Sequence, residues 1–257
     1  KVKEVMVHNG TKIIEGVTPS SIEKLPSGKL LVTYNNGDSA EYDTVLAAVG
    51  RSMDVEKLGI DGAGPLPLEV NKGMKLVCNN EQTSVPHVYA VGDIVAGAPE
   101  LTPVAIKAGK LLARRLFAQG TATMTYKDVA TTVFTPLELG TVGLTEEEAI
   151  ASYGEGNVEV YARTFHPLEW TIIESMADLR CIAKVIVEKD TDKVIGMHIA
   201  CPNAGEIMQG FGLAFATGTL THSMLLDCVG IHPTVAEEFC GLDISKSSGI
   251  STEKSGC

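Results

Sequence analysis

Val88-Tyr89-Ala90-Val91-Gly92-Asp93, followed by Glu100-Leu101-Thr102-Pro103, decides how this chain is read. An apolar run ending in Gly-Asp predicts a strand that stops at the carboxyl edge of a sheet, where α/β proteins bind ligands. The loop after it leads into a helix predicted from Pro103 to about Phe117, with Val104, Ala105, Ala108, Leu111, Leu112 and Leu116 at helical spacing. Thr102 reads as its hydroxyl N-cap and Pro103 as a first-turn proline. A helix start offers free N–H groups and the positive end of the macrodipole, which suits an electron-rich ligand atom.

Outward from this unit, the bulk properties narrow the classes. The chain has 257 residues, 44% of them hydrophobic, enough for a sizeable core in one or two domains. A formal charge of −11 leaves no basic stripe to neutralise phosphates, which argues against nucleic acid as a partner. No apolar run is long enough to cross a bilayer, so no membrane partner is expected, and no signal-peptide pattern occurs. The six cysteines, at 78, 181, 201, 228, 240 and 257, form no CxxC pair and no zinc-ligand spacing, so no metal is expected. All but Cys257 read as reduced, mostly buried thiols of a cytoplasmic protein, with a mitochondrial form left open.

Residues 11 to 50 alternate apolar runs with turn chemistry. Pro26-Ser27-Gly28 and Asn36-Gly37-Asp38 separate predicted strands such as Lys29–Tyr34 and Thr44–Val49. Beyond Ala130, Val158–Phe165, Cys181–Val187 and Val194–Ala200 predict strands, the last two joined as a hairpin through Lys189-Asp190-Thr191-Asp192-Lys193. Helices are expected over about Ala204–Ala216 and Pro233–Gly241. Strands first and helices after them predict an α+β domain on an antiparallel sheet. The last dozen residues, rich in Ser, Thr, Gly and Lys, read as mobile.

The stretch VYAVGDIVAGAPELTPVAIKAGKLLARRLF (88–117) resembles the second FAD-binding segment of the pyridine nucleotide–disulfide oxidoreductases. TTVFTPLELGTVGLTEEEA (131–149), PLEWT (167–171), PNAGEIMQGF (202–211) and GIHPTVAEEF (230–239) extend the resemblance over nearly the whole chain. The tail KSSGI…SGC is similar to that of the high-molecular-weight thioredoxin reductases and their thioredoxin–glutathione reductase relatives. The resemblance implies an α/β plus α+β fold. Residues 1–51 would be the C-terminal part of an NADPH-binding domain and 52–129 that of an FAD-binding domain. Residues 130–246 would be an antiparallel-sheet interface (dimerisation) domain and 247–257 a mobile redox tail. FAD and NADPH are the implied cofactors. The implied partners are a second copy of the chain, thioredoxin, and glutathione disulfide in the glutaredoxin-bearing relatives. A further implied partner is an N-terminal half of the same polypeptide, which would carry the GxGxxG motifs and the cysteine pair.

The resemblance also assigns roles, and each residue has a plainer alternative. Asp93, after Gly92, matches an aspartate that hydrogen-bonds the flavin ribityl chain; a loop aspartate capping a turn is the alternative. Glu100, Leu101, Thr102 and Pro103 match the segment bordering the flavin pyrimidine ring, and they also make an ordinary helix start. His232 matches the general acid/base that serves the exchanging thiol and the flavin site of the opposite subunit; Pro233 restricts its backbone to extended geometry or allows a cis bond. Glu237 matches the group that orients that histidine, yet Thr234-x-x-Glu237 is also a capping box, and Glu238 lies next to it. Cys257 matches the cysteine of a Gly-Cys-selenocysteine-Gly tail. Arg51 matches an arginine near the nicotinamide end of NADPH, or is a surface arginine closing a strand. Trp170 is core or interface, and His166, His198 and His222 have no supporting constellation. Two rivals stand beside a thioredoxin reductase: a thioredoxin–glutathione reductase with an upstream glutaredoxin domain, and a non-catalytic dimerisation fragment.

Overall fold

A computed structural model of the chain describes residues 1–54 and 67–252. The chain opens with α1 (Val2–His8) and divides into two compact units, residues 13–126 and residues 1–12 with 127–257.

In the first unit, β1 (Pro19–Lys24), β2 (Leu30–Tyr34) and β3 (Ser39–Tyr42) form an antiparallel meander in that order. Both turns are the expected ones. Gly28 and Gly37 take φ of +87° and +90°, a region that suits a residue without Cβ, and Asp38 N–H donates to Asn36 Oδ1 at 3.1 Å. The predicted strand Thr44–Val49 does not form. Nothing among the described residues pairs with its backbone, and Leu46 and Val49 stand 88% and 92% exposed.

Val88–Val91 is likewise not a ladder strand. The segment is extended, but only Tyr89 pairs, in a single bridge to Gln82. A 3-10 turn (Gly92–Ile94) follows, then α2 (Thr102–Phe117). Val104 and Ala108, four residues apart, bury one face of α2. Thr102 is not the N-cap; Leu101 takes that place and no side chain caps the helix. Pro103 in the first turn needs no donor there and fixes φ, which shifts the start back by one residue.

The second unit is built on five antiparallel strands: β4 (Thr131–Val133), β5 (Leu139–Gly143), β6 (Val158–Phe165), β7 (Cys181–Glu188) and β8 (Lys193–Ala200). Their spatial order is β4-β5-β8-β7-β6. Cys181, Ala183 and Val185 of β7, with Met197 and Ile199 of β8, enter the main core, while Ile186 and Ile195 face a smaller cluster with Ala149, Val158 and Val160. Between β5 and β6 lies α3 (Glu146–Tyr153), whose N-cap Thr145 and Glu148 bond each other's backbone in a capping box. Beyond β8 come α4 (Ala204–Phe215), packed on β5, and the short α5 (His222–Asp227) capped by Thr221. The last predicted helix is instead a 3-10 helix confined to Ala236–Gly241, because residues 232–235 are taken up by the turn around the cis His232–Pro233 bond.

The first helix packs in this second unit: Val5 is in its core and His8 Nε2–H donates to Ser175 O at 2.6 Å. The C-terminal stretch 246–252 is held rather than loose. Lys246 pairs with Glu146, Ser247 with Glu159, and Thr164 N–H donates to Thr252 O at 2.9 Å. Residues 253–257, the rest of the expected tail, lie outside the described residues.

Candidate active site

Each unit carries one constellation. In the second unit, the segment after α5 is anchored from below. Phe239 is fully buried and its ring lies 4.7 Å from that of Phe211, centroid to centroid. His222 is buried too, stacks on Tyr161 at 3.8 Å, and donates from Nε2 to Leu242 O at 2.7 Å. With both ends pinned, Glu237 sits on top of the 3-10 helix. Its Oε1 accepts from His232 Nδ1–H at 2.9 Å and from Thr234 N–H at 3.4 Å. Glu237 N–H in turn donates to Thr234 Oγ1 at 3.3 Å. Reciprocal Thr234–Glu237 bonds and the contact with His232 therefore share one carboxylate, although Val235, not Thr234, is the N-cap of the 3-10 helix and no side chain caps it. Glu238 turns the other way, to Arg163 at 3.9 Å.

Because Nδ1 carries the proton donated to Glu237, Nε2 is the ring's free acceptor. His232 is exposed, and so are Val229 and Ile231 beside it, at 91% and 77%. A cavity of about 330 Å³ opens next to the ring, walled by His166, Leu168, Arg180, Thr234 and Glu237. Sequence reading missed Leu168 and Arg180 as neighbours of His232; the only signal was the Pro167–Thr171 stretch. Trp170 is buried in the core, with His166 against its edge.

In the first unit, Gly92 takes φ +80°, and a Cβ there would lie 3.2 Å from Ala105 Cβ, so the loop presses on the first turn of α2. Asp93 is exposed, and its carboxylate makes no hydrogen bond among the described residues. Leu101, Thr102 and Pro103 start α2, with Thr102 and Pro103 exposed. Glu100 pairs with Lys75, and that ammonium first, then the Arg51 guanidinium, holds its carboxyl below the usual range. Arg51 thus belongs to the same charged surface as Glu100. The far end of α2 is fixed by Glu81, a fully buried carboxylate bonded to Arg115 and, at 2.7 Å, to Tyr126 Oη.

Cys181 and Cys201 are buried, and burial pushes the Cys201 thiol up to about 12. Cys78 and Cys240 are half-buried and Cys228 is exposed, so the buried-thiol reading fails for Cys228, which lies in the loop just past α5. Cys257 lies outside the described residues. Among the described residues no group of three metal-ligating side chains occurs and no helix is long and apolar enough to cross a membrane.

Residues 1–109 match the pyridine nucleotide-disulphide oxidoreductase family, and residues 129–241 match the dimerisation domain of the same family. The chain belongs to the pyridine nucleotide-disulphide oxidoreductases. Thioredoxin reductase SEP1 of Emiliania huxleyi is 50% identical to it over 268 aligned positions, which cover 99% of this chain and 53% of the relative. The chain spans about half the length of that curated relative.

For a pyridine nucleotide-disulphide oxidoreductase the implied cofactors are FAD and NADPH. The residues fit the first. Asp93 offers an exposed carboxylate without a partner among the described residues, Gly92 admits close approach, and the first turn of α2 has no side-chain cap over its amides. The two constellations fall one in each matched segment, Asp93 with the α2 start in 1–109 and His232 with Glu237 in 129–241.

Proposed function

We propose that the polypeptide carrying this chain is a homodimeric, NADPH-dependent flavoprotein that reduces the disulfide of thioredoxin. The observation that carries this reading is the 2.9 Å bond from His232 to Glu237, on a surface segment flanked by exposed apolar residues. Reduction of a disulfide by NADPH consumes one proton and yields two thiols. Nε2 of His232, kept free by the Nδ1–Glu237 bond, takes a proton from an attacking thiol and returns it to the departing thiolate. Glu237 holds the tautomer and stabilises the charged ring. FAD, when bound, supplies the relay of the electron pair from NADPH. Asp93 would accept hydrogen bonds from its ribityl hydroxyls, and the α2 start at Leu101–Pro103 would turn amides toward the electron-rich ring edge.

Val229 and Ile231, 91% and 77% exposed, support a second copy covering this surface, because large apolar side chains flanking one polar group mark an interface. The likeness of KSSGI…SGC to the tail of the high-molecular-weight thioredoxin reductases supports a Gly-Cys-selenocysteine-Gly redox tail that includes Cys257, and the cytoplasm is the proposed location. Arg51 is assigned to the NADPH end of the site.

The test uses the whole native polypeptide. Flavin absorbance, NADPH oxidation with oxidised thioredoxin, and the mass in solution are measured together, with glutathione disulfide as a parallel substrate. His232→Ala should lower thioredoxin turnover by roughly 10²-fold or more while flavin content stays constant. Wild-type turnover in that variant, or a monomer with full activity, sinks the proposal.

A further inference from the structure

We propose that Cys228 and Cys240 form a reversible disulfide across the base of the His232 loop when the protein meets hydrogen peroxide. The two cysteines flank the loop and are not among the residues assigned to proton transfer. Cys228 is the C-cap of α5, in extended geometry at φ −78°, ψ 131°. Two residues on, Gly230 presses on the 3-10 helix, so closely that a Cβ there would lie 2.6 Å from Glu237 Cβ and 3.3 Å from its Cα. Cys240 lies on that helix three residues beyond Glu237. In a 3-10 helix, residues three apart eclipse, and one turn rises about 6 Å. Two residues of extended chain span about 6.6 Å. The two offsets match, and with the crossing at Gly230 and Glu237 they support placing the side chains of Cys228 and Cys240 beside each other.

The electrostatics of Cys240 agree with this placement. Burial first, then the neighbouring Cys228 thiol and its hydrogen bond, raise the Cys240 thiol above its ordinary value. Both thiols are reduced in the structure. In the single chain, before the proposed second copy covers Val229 and Ile231, exposure sets the order of reaction. Cys228 is exposed and Cys240 half-buried, whereas Cys181 and Cys201 are wholly buried in the sheet.

The step balances. The Cys228 thiolate attacks one peroxide oxygen, the O–O bond breaks, and hydroxide leaves as water once protonated. The sulfur becomes a sulfenic acid. The Cys240 sulfur then attacks it, the S–S bond forms and a second water departs. Two thiols are oxidised by two electrons in all, and one peroxide is reduced. A dithiol such as dithiothreitol reverses the bond by exchange. The closed ring of residues 228–240 contains both His232 and Glu237, so oxidation staples the crossing on which their contact rests.

The experiment treats the whole native polypeptide with hydrogen peroxide, blocks remaining thiols with iodoacetamide, and cuts after glutamate. Cleavage after Glu237 and Glu238 leaves the two cysteines on separate peptides, so only a disulfide joins them. The expected result is one joined species, lighter than its parts by two hydrogens, that dithiothreitol separates and that is absent in Cys228→Ser and Cys240→Ser. Recovery of Cys228 as a sulfenic or sulfinic acid with Cys240 fully alkylated overturns the proposal. So does a Cys228 linked to any other cysteine. The wild-type peptide map decides the matter even if a variant fails to fold. Its outcome is independent of the proposed function, because it reads a covalent bond and not turnover.

Discussion

Replacing Glu237 by Gln and by Ala separates two jobs done by one carboxylate. Its Oε1 accepts from His232 at 2.9 Å and from the Thr234 amide at 3.4 Å. Glutamine keeps an acceptor for both donors and removes only the charge. Unit charges 2.9 Å apart attract by about 1.4 kcal/mol in a water-like dielectric. His232 is 68% exposed, so that end of the scale applies, and ordering of the side chains brings the figure to about 1 kcal/mol. Glu237→Gln should therefore slow a step that builds positive charge on the imidazole about fivefold. A second copy covering the ring would lower the local dielectric and enlarge the loss. Alanine also removes the bond to Thr234 N–H, which costs about 1 kcal/mol of stability. The assays are NADPH-coupled thioredoxin reduction and a urea titration of the whole polypeptide. Glutamine should lower turnover and leave the urea midpoint alone, while alanine should lower both. A Gln variant with wild-type turnover, or one as destabilised as the Ala variant, would refute the division of roles.

Arg115→Met strands the buried Glu81 carboxylate with Tyr126 as its remaining side-chain partner, and should cost about 3–5 kcal/mol, read by urea unfolding. Since Arg115 fixes the far end of the helix whose start is assigned to flavin, bound FAD per chain should fall as well; a loss below about 1 kcal/mol counts against the network. Gly230→Ala drives a methyl into Glu237 Cβ at 2.6 Å, so both turnover and formation of the Cys228–Cys240 bond should drop, checked by the same assay and peptide map. His198 is held below its ordinary value, chiefly by burial, so below 6.5 the unfolded chain binds the extra proton first. Stability should be full above about pH 6.5 and fall as acid is added, and His198→Gln should flatten that slope in urea titrations between pH 5 and 8; an unchanged slope removes His198 from the account.

Alternating apolar residues and a polar turn made β6, β7 and β8 legible, since these strands have neighbours on both sides or lie over a core. β5 was harder to see because Leu139-Gly140-Thr141-Val142-Gly143 carries two glycines. The packing explains them. A Cβ at Gly140 would lie 2.4 Å from Met208 Cγ on α4, and one at Gly143 would lie 2.4 Å from Ile195 O. The sequence reading missed α3 and α5, although Thr145 and Glu148 start the one and Thr221 the other, because helices of eight and six residues give the apolar period too few turns to show. Thr44–Val49 and Val88–Val91 have strand composition without strand neighbours, and composition does not reveal whether a partner is present. At the site, the pairing of His232 with Glu237 rather than Glu238 depends on which way a 3-10 turn faces. The meeting of Cys228 with Cys240 has no sequence motif, because it comes from two segments crossing.

The seat of α1 bears on how this protein can be dissected. Val5 fills part of the core built from strands more than a hundred residues further on. A gene cut at residue 127, where the sheet body resumes, would produce that body with an apolar hollow open to water. Expressing it alone calls for a graft of the opening heptapeptide, or a polar substitution among the residues that Val5 touches.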